Sequence, residues 1–155
     1  MSLKNKLTPF YQIDYRKEVI SELDNGREIT SLLLIHGYIE AFLREWIFIS
    51  GKNTKIELGK RFMKELEHIS FKNLLLIHLS LGNINPGMYN NILRLNNVRN
   101  TLAHRLIIID YSSKTNKEKI QNHVLNSITA CEEIATLYNS VANSKSLLVQ
   151  KEMPN

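Results

Sequence analysis

The sequence predicts an all-α fold, a single helical bundle of about five to six helices spanning 1–155, with its core over about 12–143 and a frayed C-terminal tail. Three observations carry that prediction. Apolar residues recur at three- and four-residue spacing through long segments, period-two alternation is scarce, and 6 glycines and 3 prolines supply the punctuation, the pattern of amphipathic helices joined by short turns. With 43% hydrophobic and 23% charged residues, a chain of 155 residues has the composition of one globular domain. No internal repeat or low-complexity tract divides it.

The first helix is expected over 12–24 and stops at Asn25-Gly26, because glycine readily supplies the left-handed residue that ends a helix. The second, roughly 27–50, is the longest and ends at Gly51. Along it Leu32, Ile35, Ile39, Phe42, Leu43 and Trp46 make one wide apolar face, and His36, Glu40 and Arg44 form an i, i+4 row beside it, the spacing of a salt-bridged helix edge. Gly37 would let another helix approach closely. After the polar stretch GKNTKIELG, a short helix at about 60–68 leads through Ser70 into a fourth, FKNLLLIHLSLG.

NINPG makes a turn, and Pro86 opens the fifth helix, MYNNILRLNNVRNTLAHRL, since proline's fixed φ and missing N–H suit the first helical turn. The run LIIIDYSSKTNK follows, where three isoleucines fit either a helical extension or a short extended piece. Thr115 or Asn116 is placed to cap a last helix to about residue 143.

Several function classes are disfavoured. Cys131 is alone, so no intrachain disulfide forms, and the lysine-bearing N-terminus has no apolar signal core behind it, which leads us to expect a cytoplasmic protein. The longest apolar run, SLLLIHGYIEAFLREWIFIS, is interrupted by His36, Glu40, Arg44 and Glu45, a pattern for a core helix rather than a membrane span. His68, His78 and His123 have no ligand partners at metal spacing, so no metal or other cofactor is expected. The net charge of +5 leans toward an anionic partner such as RNA.

One stretch concentrates reactive residue types: VRNTLAHRL, with Arg99, Asn100 and His104. At 100° per residue, Met88, Ile92, Leu95, Val98 and Leu102 form the core stripe of the fifth helix, and Arg99 falls inside it. A guanidinium facing a core demands a carboxylate, a carbonyl or solvent, and Glu40 is the natural partner. Asn100 and His104 are i, i+4 neighbours, whereas Arg99 and His104 stand about 140° apart. The two act on one phosphate only if the helix bends, the arginine reaches, or the second subunit of a homodimer completes the site. Around them Arg94, Arg99, Arg105, Lys114, Lys117 and Lys119 face only Asp110 and Glu118, the footprint of a phosphate-backbone site.

Arg99-Asn100-Thr101-Leu102-Ala103-His104 resembles the R-N-x-x-x-H signature of HEPN domains (higher eukaryote and prokaryote nucleotide-binding), and the order of elements over roughly 27–140 is similar to that family. The resemblance implies a helical bundle that dimerises through the motif helix, and a metal-independent endoribonuclease of a toxin–antitoxin, CRISPR or phage-defence system, with an antitoxin or defence-complex protein as further partner. Arg105 stands where that pattern often has a small residue. FKNLLLIHLSLGNI followed by LNNVRNTLAH is also similar to mannitol-repressor-type regulators, which implies the alternative: a non-catalytic dimeric module that binds a protein or nucleotide.

If the site is enzymatic, His104 is the general base or acid, Arg99 holds the scissile phosphate, and Asn100 orients the imidazole or binds a phosphate oxygen. Glu40 positions Arg99, and Arg94, Arg105 and Lys114 bind substrate. Single-stranded RNA is the expected substrate, because attack by a ribose 2′-hydroxyl needs an unconstrained backbone. Tyr89 and Tyr111 are stacking candidates. Read without the resemblance, the same residues have ordinary roles: cations near a helix C-terminus meet its dipole favourably, Cys131 is a buried inert thiol, and Trp46 is a core or interface anchor.

Overall fold

A computed structural model describes residues 14–51, 60–105 and 113–151, with side chains described over 14–50, 64–104 and 113–143. These residues form six helices and no strand: α1 (Tyr15–Asp24), α2 (Glu28–Gly51), α3 (Lys60–His68), α4 (Phe71–Ser80), α5 (Pro86–Arg105) and α6 (Lys114–Lys151). None is long and apolar enough to cross a membrane. The expected loop over 51–59 beyond Gly51, the start of the first helix at 12 and 13, and the isoleucine run with its flanks at 106–112 lie outside the described residues.

Each helix starts and stops for local reasons. Asp14 caps α1, its carboxylate accepting the Lys17 N–H at 3.1 Å, and Gly26 ends it with φ +69°, a conformation that costs residues with a Cβ but not glycine. Ser70 caps α4 by accepting the Asn73 N–H. Asn85 accepts the Met88 N–H at 2.9 Å and so caps α5, whose first residue is Pro86. The cap of α6 differs from expectation. Ser113, not Thr115 or Asn116, stands outside the helix and accepts the Asn116 N–H. The same helix runs past residue 143 to Lys151 instead of fraying. Nothing between Asn143 and Lys151 stops it, since the next proline is Pro154 and each added residue adds a backbone hydrogen bond.

α2 is the central helix, in contact with each of the other five. Its predicted apolar face, Leu32, Ile35, Ile39, Phe42, Leu43 and Trp46, is buried throughout. Gly37 is no close-approach point, because a Cβ there would meet nothing within 4 Å. Ser31 joins α1 to α2 inside the core, its hydroxyl donating to the Val19 carbonyl at 2.8 Å. Cys131 is buried in the same core, and burial pushes its thiol up to about 12, which makes it inert as a nucleophile.

The beginning of α6 flanks both the start of α2, where Gln121 donates to Glu28 at 3.2 Å, and the last turns of α5, where Ile120 and Leu102 line one groove. The start of α2 and the end of α5 therefore share one end of the bundle, and the two helices run antiparallel. That end carries the motif.

Candidate functional site

The core stripe of α5 holds as far as Asn96. Met88, Ile92, Leu95 and Leu102 are buried and Val98 is half-buried. Beyond Asn96 the packed face turns toward α6, through Val98 and Leu102, and Arg99 emerges exposed although it falls on the predicted stripe. The expected Arg99–Glu40 pair does not form. Arg99 donates instead to Asn100 Oδ1 at 3.0 Å, and Glu40 binds Arg44 at 2.5 Å. Solvent solves the problem of the guanidinium more cheaply than a buried partner, because a buried ion pair loses the hydration of both charges.

The row His36, Glu40, Arg44 is a salt-bridged helix edge as the spacing predicts, and it reaches further than one edge. His36 Nε2 lies 3.1 Å from Asn96 Oδ1 on α5, so Nε2 carries the proton and donates it. The other ring nitrogen is 3.8 Å from the Glu40 carboxylate, and the ring lies on Phe71 with 4.2 Å between centroids. Burial holds the imidazole below its usual pKa despite Asn96 and Glu40, which favour the charged form, and Arg99 adds to the lowering. His36 is thus neutral at pH 7. Arg44 completes the row by donating to the carbonyls of Leu66 and Ile69, which closes the C-terminal end of α3.

His78 is fully buried and fully paired: Nε2–H donates to the Leu43 carbonyl at 2.9 Å, and Nδ1 accepts from the Asn83 amide at 3.0 Å. It is a core histidine, held neutral by burial. Among the described residues no three His, Cys, Asp or Glu side chains gather as a metal group would require.

His104 has the opposite surroundings. It is exposed, one residue before the described end of α5, and no hydrogen bond or ion pair engages its ring among the described residues. Asn100, its i, i+4 neighbour, is occupied by Arg99 rather than by the imidazole. α5 is one uninterrupted helix through Arg105, so Arg99 and His104 keep their separation of about 140°. A single copy of the chain does not aim both at one atom.

Of the predicted substrate-binding residues, Arg94 is exposed on α5 and Lys114 is exposed at the start of α6, 3.8 Å from Glu118. The side chain of Arg105 and all of Tyr111 lie outside the described residues. Tyr89 is half-buried and packs against the core.

Two features escaped the wheel drawn from apolar residues alone. One is Asn96, four residues after Ile92 and therefore on the core side, where it meets His36. The other is a groove of about 270 Å³ between α5 and the start of α6. Val98, Leu102 and Ile120 line its apolar part, Asn97 and Thr101 stand on the α5 side, and Lys119 and His123 on the α6 side. No protein-family model, curated protein or solved structure matches the chain.

Proposed function

We propose that the protein is an endoribonuclease that cleaves single-stranded RNA without a metal, by attack of a ribose 2′-hydroxyl on the adjacent phosphate. The observation that carries this reading is the state of His104: an exposed imidazole with no partner among the described residues, on the basic end of the bundle and five residues from an exposed arginine. An imidazole can take the 2′-hydroxyl proton as the O2′–P bond forms, while the P–O5′ bond breaks and the departing oxygen gains a proton. The products are a 2′,3′-cyclic phosphate and a 5′-hydroxyl. Arg99 stabilises the charge that builds on the phosphoryl oxygens, and Asn100, bonded to it, fixes the direction of the guanidinium. Glu40 acts on this site only at a distance, through His36 and Asn96.

Because Arg99 and His104 diverge around α5, the working site in this reading is shared across a homodimer, with Arg99 of one copy facing His104 of the other about a twofold axis. Mixed dimers test this. Co-purified subunits carrying Arg99→Ala in one copy and His104→Ala in the other contain one intact composite site and regain up to about half of wild-type cleavage, whereas each homodimeric variant has none. Mixed dimers as inactive as the parents contradict the shared site, as does a monomer by light scattering at micromolar concentration with and without RNA. In the cell the activity fits a toxin or defence component held in check by a partner protein.

The competing reading is a non-catalytic dimeric regulator, favoured by the Arg99–Asn100 hydrogen bond, which already occupies two motif residues with each other. That protein is harmless when expressed alone and indifferent to His104→Ala.

A further inference from the structure

We infer that the groove between α5 and α6 is a nucleotide-unit pocket, which takes one unstacked base of single-stranded RNA and the phosphate next to it. The inference rests on the ribonuclease reading for the identity of the ligand and adds where and how the strand is held. Four observations converge on it.

The first is size and lining. A volume of about 270 Å³ is at the small end of ligand pockets, suited to one base rather than to an extended cofactor. Val98, Leu102 and Ile120 give it an apolar bed of the sort on which a base's π-face can lie. The second is hydrogen-bonding capacity. The Asn97 amide offers a donor and an acceptor side by side, the combination that pairs with a base edge, and Thr101, one turn on, adds a hydroxyl. Neither side chain is engaged in a hydrogen bond among the described residues.

The third observation is charge. Lys119 and His123 stand opposite Asn97, with no carboxylate among the described lining residues, and α6 opens here with no acidic residue in its first turn. The positive end of that helix dipole is left for an anion. The fourth is register with the motif. Asn97, Thr101 and His104 are spaced i, i+4 and i+7 and so share one face of α5. A base seated beside Thr101 leaves its neighbouring phosphate one helical turn from His104. The groove thus belongs to the strand that His104 acts on, and it supplies a base preference that Arg99, on another face of the helix, does not.

The test is binding, in EDTA, of fluorescein-labelled 2′-fluoro octanucleotides of uridine, cytidine, adenosine and alternating guanosine–uridine, which lack the attacking hydroxyl. Wild-type protein binds one of them at least about fivefold tighter than the others, the range a single base contact supplies. Asn97→Ala removes that preference. Lys119→Ala weakens binding to all four and lowers the slope of log Kd against log salt by about 0.7, the loss of one phosphate contact on a single strand. Both residues are exposed, and unchanged thermal melts confirm that the variants fold. If the octamers bind but neither substitution changes preference or slope, the groove is not the pocket and the ribonuclease reading stands without it. If none binds, both fall.

Discussion

Asn96 and Asn97 are adjacent in sequence, identical in chemistry and opposite in surroundings. Asn96 is buried and bonded to His36, and behind it Glu40, Arg44 and the carbonyls of Leu66 and Ile69 continue a polar chain through α2 to α3. Asn97 is exposed about 100° around the same helix, at the lip of a groove, in company with Thr101 and, one turn on, His104. Polar groups on the first side are paired with one another inside the protein. Asn97, Thr101 and His104 have no hydrogen bond among the described residues. A buried polar group without a partner costs free energy, so burial with pairing is evidence of a structural duty. An exposed one costs nothing and stabilises nothing, so a cluster of them is free to be shaped by a ligand.

The contrast is sharpest where a paired group is removed. His78→Ala takes away two buried hydrogen bonds and leaves a cavity, and should destabilise the protein by about 3–5 kcal/mol in urea melts. Asn97→Ala should cost about 0.5 kcal/mol or less. A similar cost for both would break the distinction between the two sides. Next in size is Arg44→Ala, which leaves the Glu40 carboxylate and the α3 carbonyls without their donor and should cost about 1–3 kcal/mol. In a double-mutant cycle with Glu40→Ala the two losses should sum to more than the double variant loses, because each single change already breaks the shared bridge.

A smaller effect is the pH dependence of stability. His36 and His78 are both held below the ordinary histidine pKa by burial. Between the folded and unfolded pKa values the unfolded chain binds more protons, so stability is full above about pH 6.5 and falls as the pH drops below it. His36→Gln and His78→Gln should each flatten that decline, measured as midpoint temperature between pH 7.5 and 5.0. A decline that persists in the His36→Gln, His78→Gln double variant must be assigned to other groups.

Much of this was legible in the sequence, and the failures have physical causes. The helices follow from spacing and punctuation: Gly26, Ser70 and Pro86 mark boundaries that the structure keeps. The apolar face of α2 could be read off directly because all its members point one way into a core. The placement of Arg99 could not. A helical wheel assumes that one face is covered to the same width along its whole length, and after Asn96 the cover on α5 narrows to Val98 and Leu102, leaving Arg99 exposed. The added Arg99–Glu40 pairing failed for a related reason, since Arg44, already in the predicted i, i+4 row, needs no tertiary geometry to reach Glu40. The groove depends on how α5 meets α6, and no local pattern encodes that.

The central claim is that the exposed imidazole of His104 does chemistry while the buried ones hold the fold. It is tested most directly by incubating end-labelled single-stranded RNA in EDTA with wild-type protein and with His104→Ala, and identifying the product ends. The account predicts 2′,3′-cyclic phosphate and 5′-hydroxyl ends from the wild type, a loss of about 10²-fold or more in the variant, and melting curves that coincide within about 0.5 kcal/mol. Absence of cleavage, or cleavage that survives the substitution, contradicts it and leaves the regulatory module as the better description.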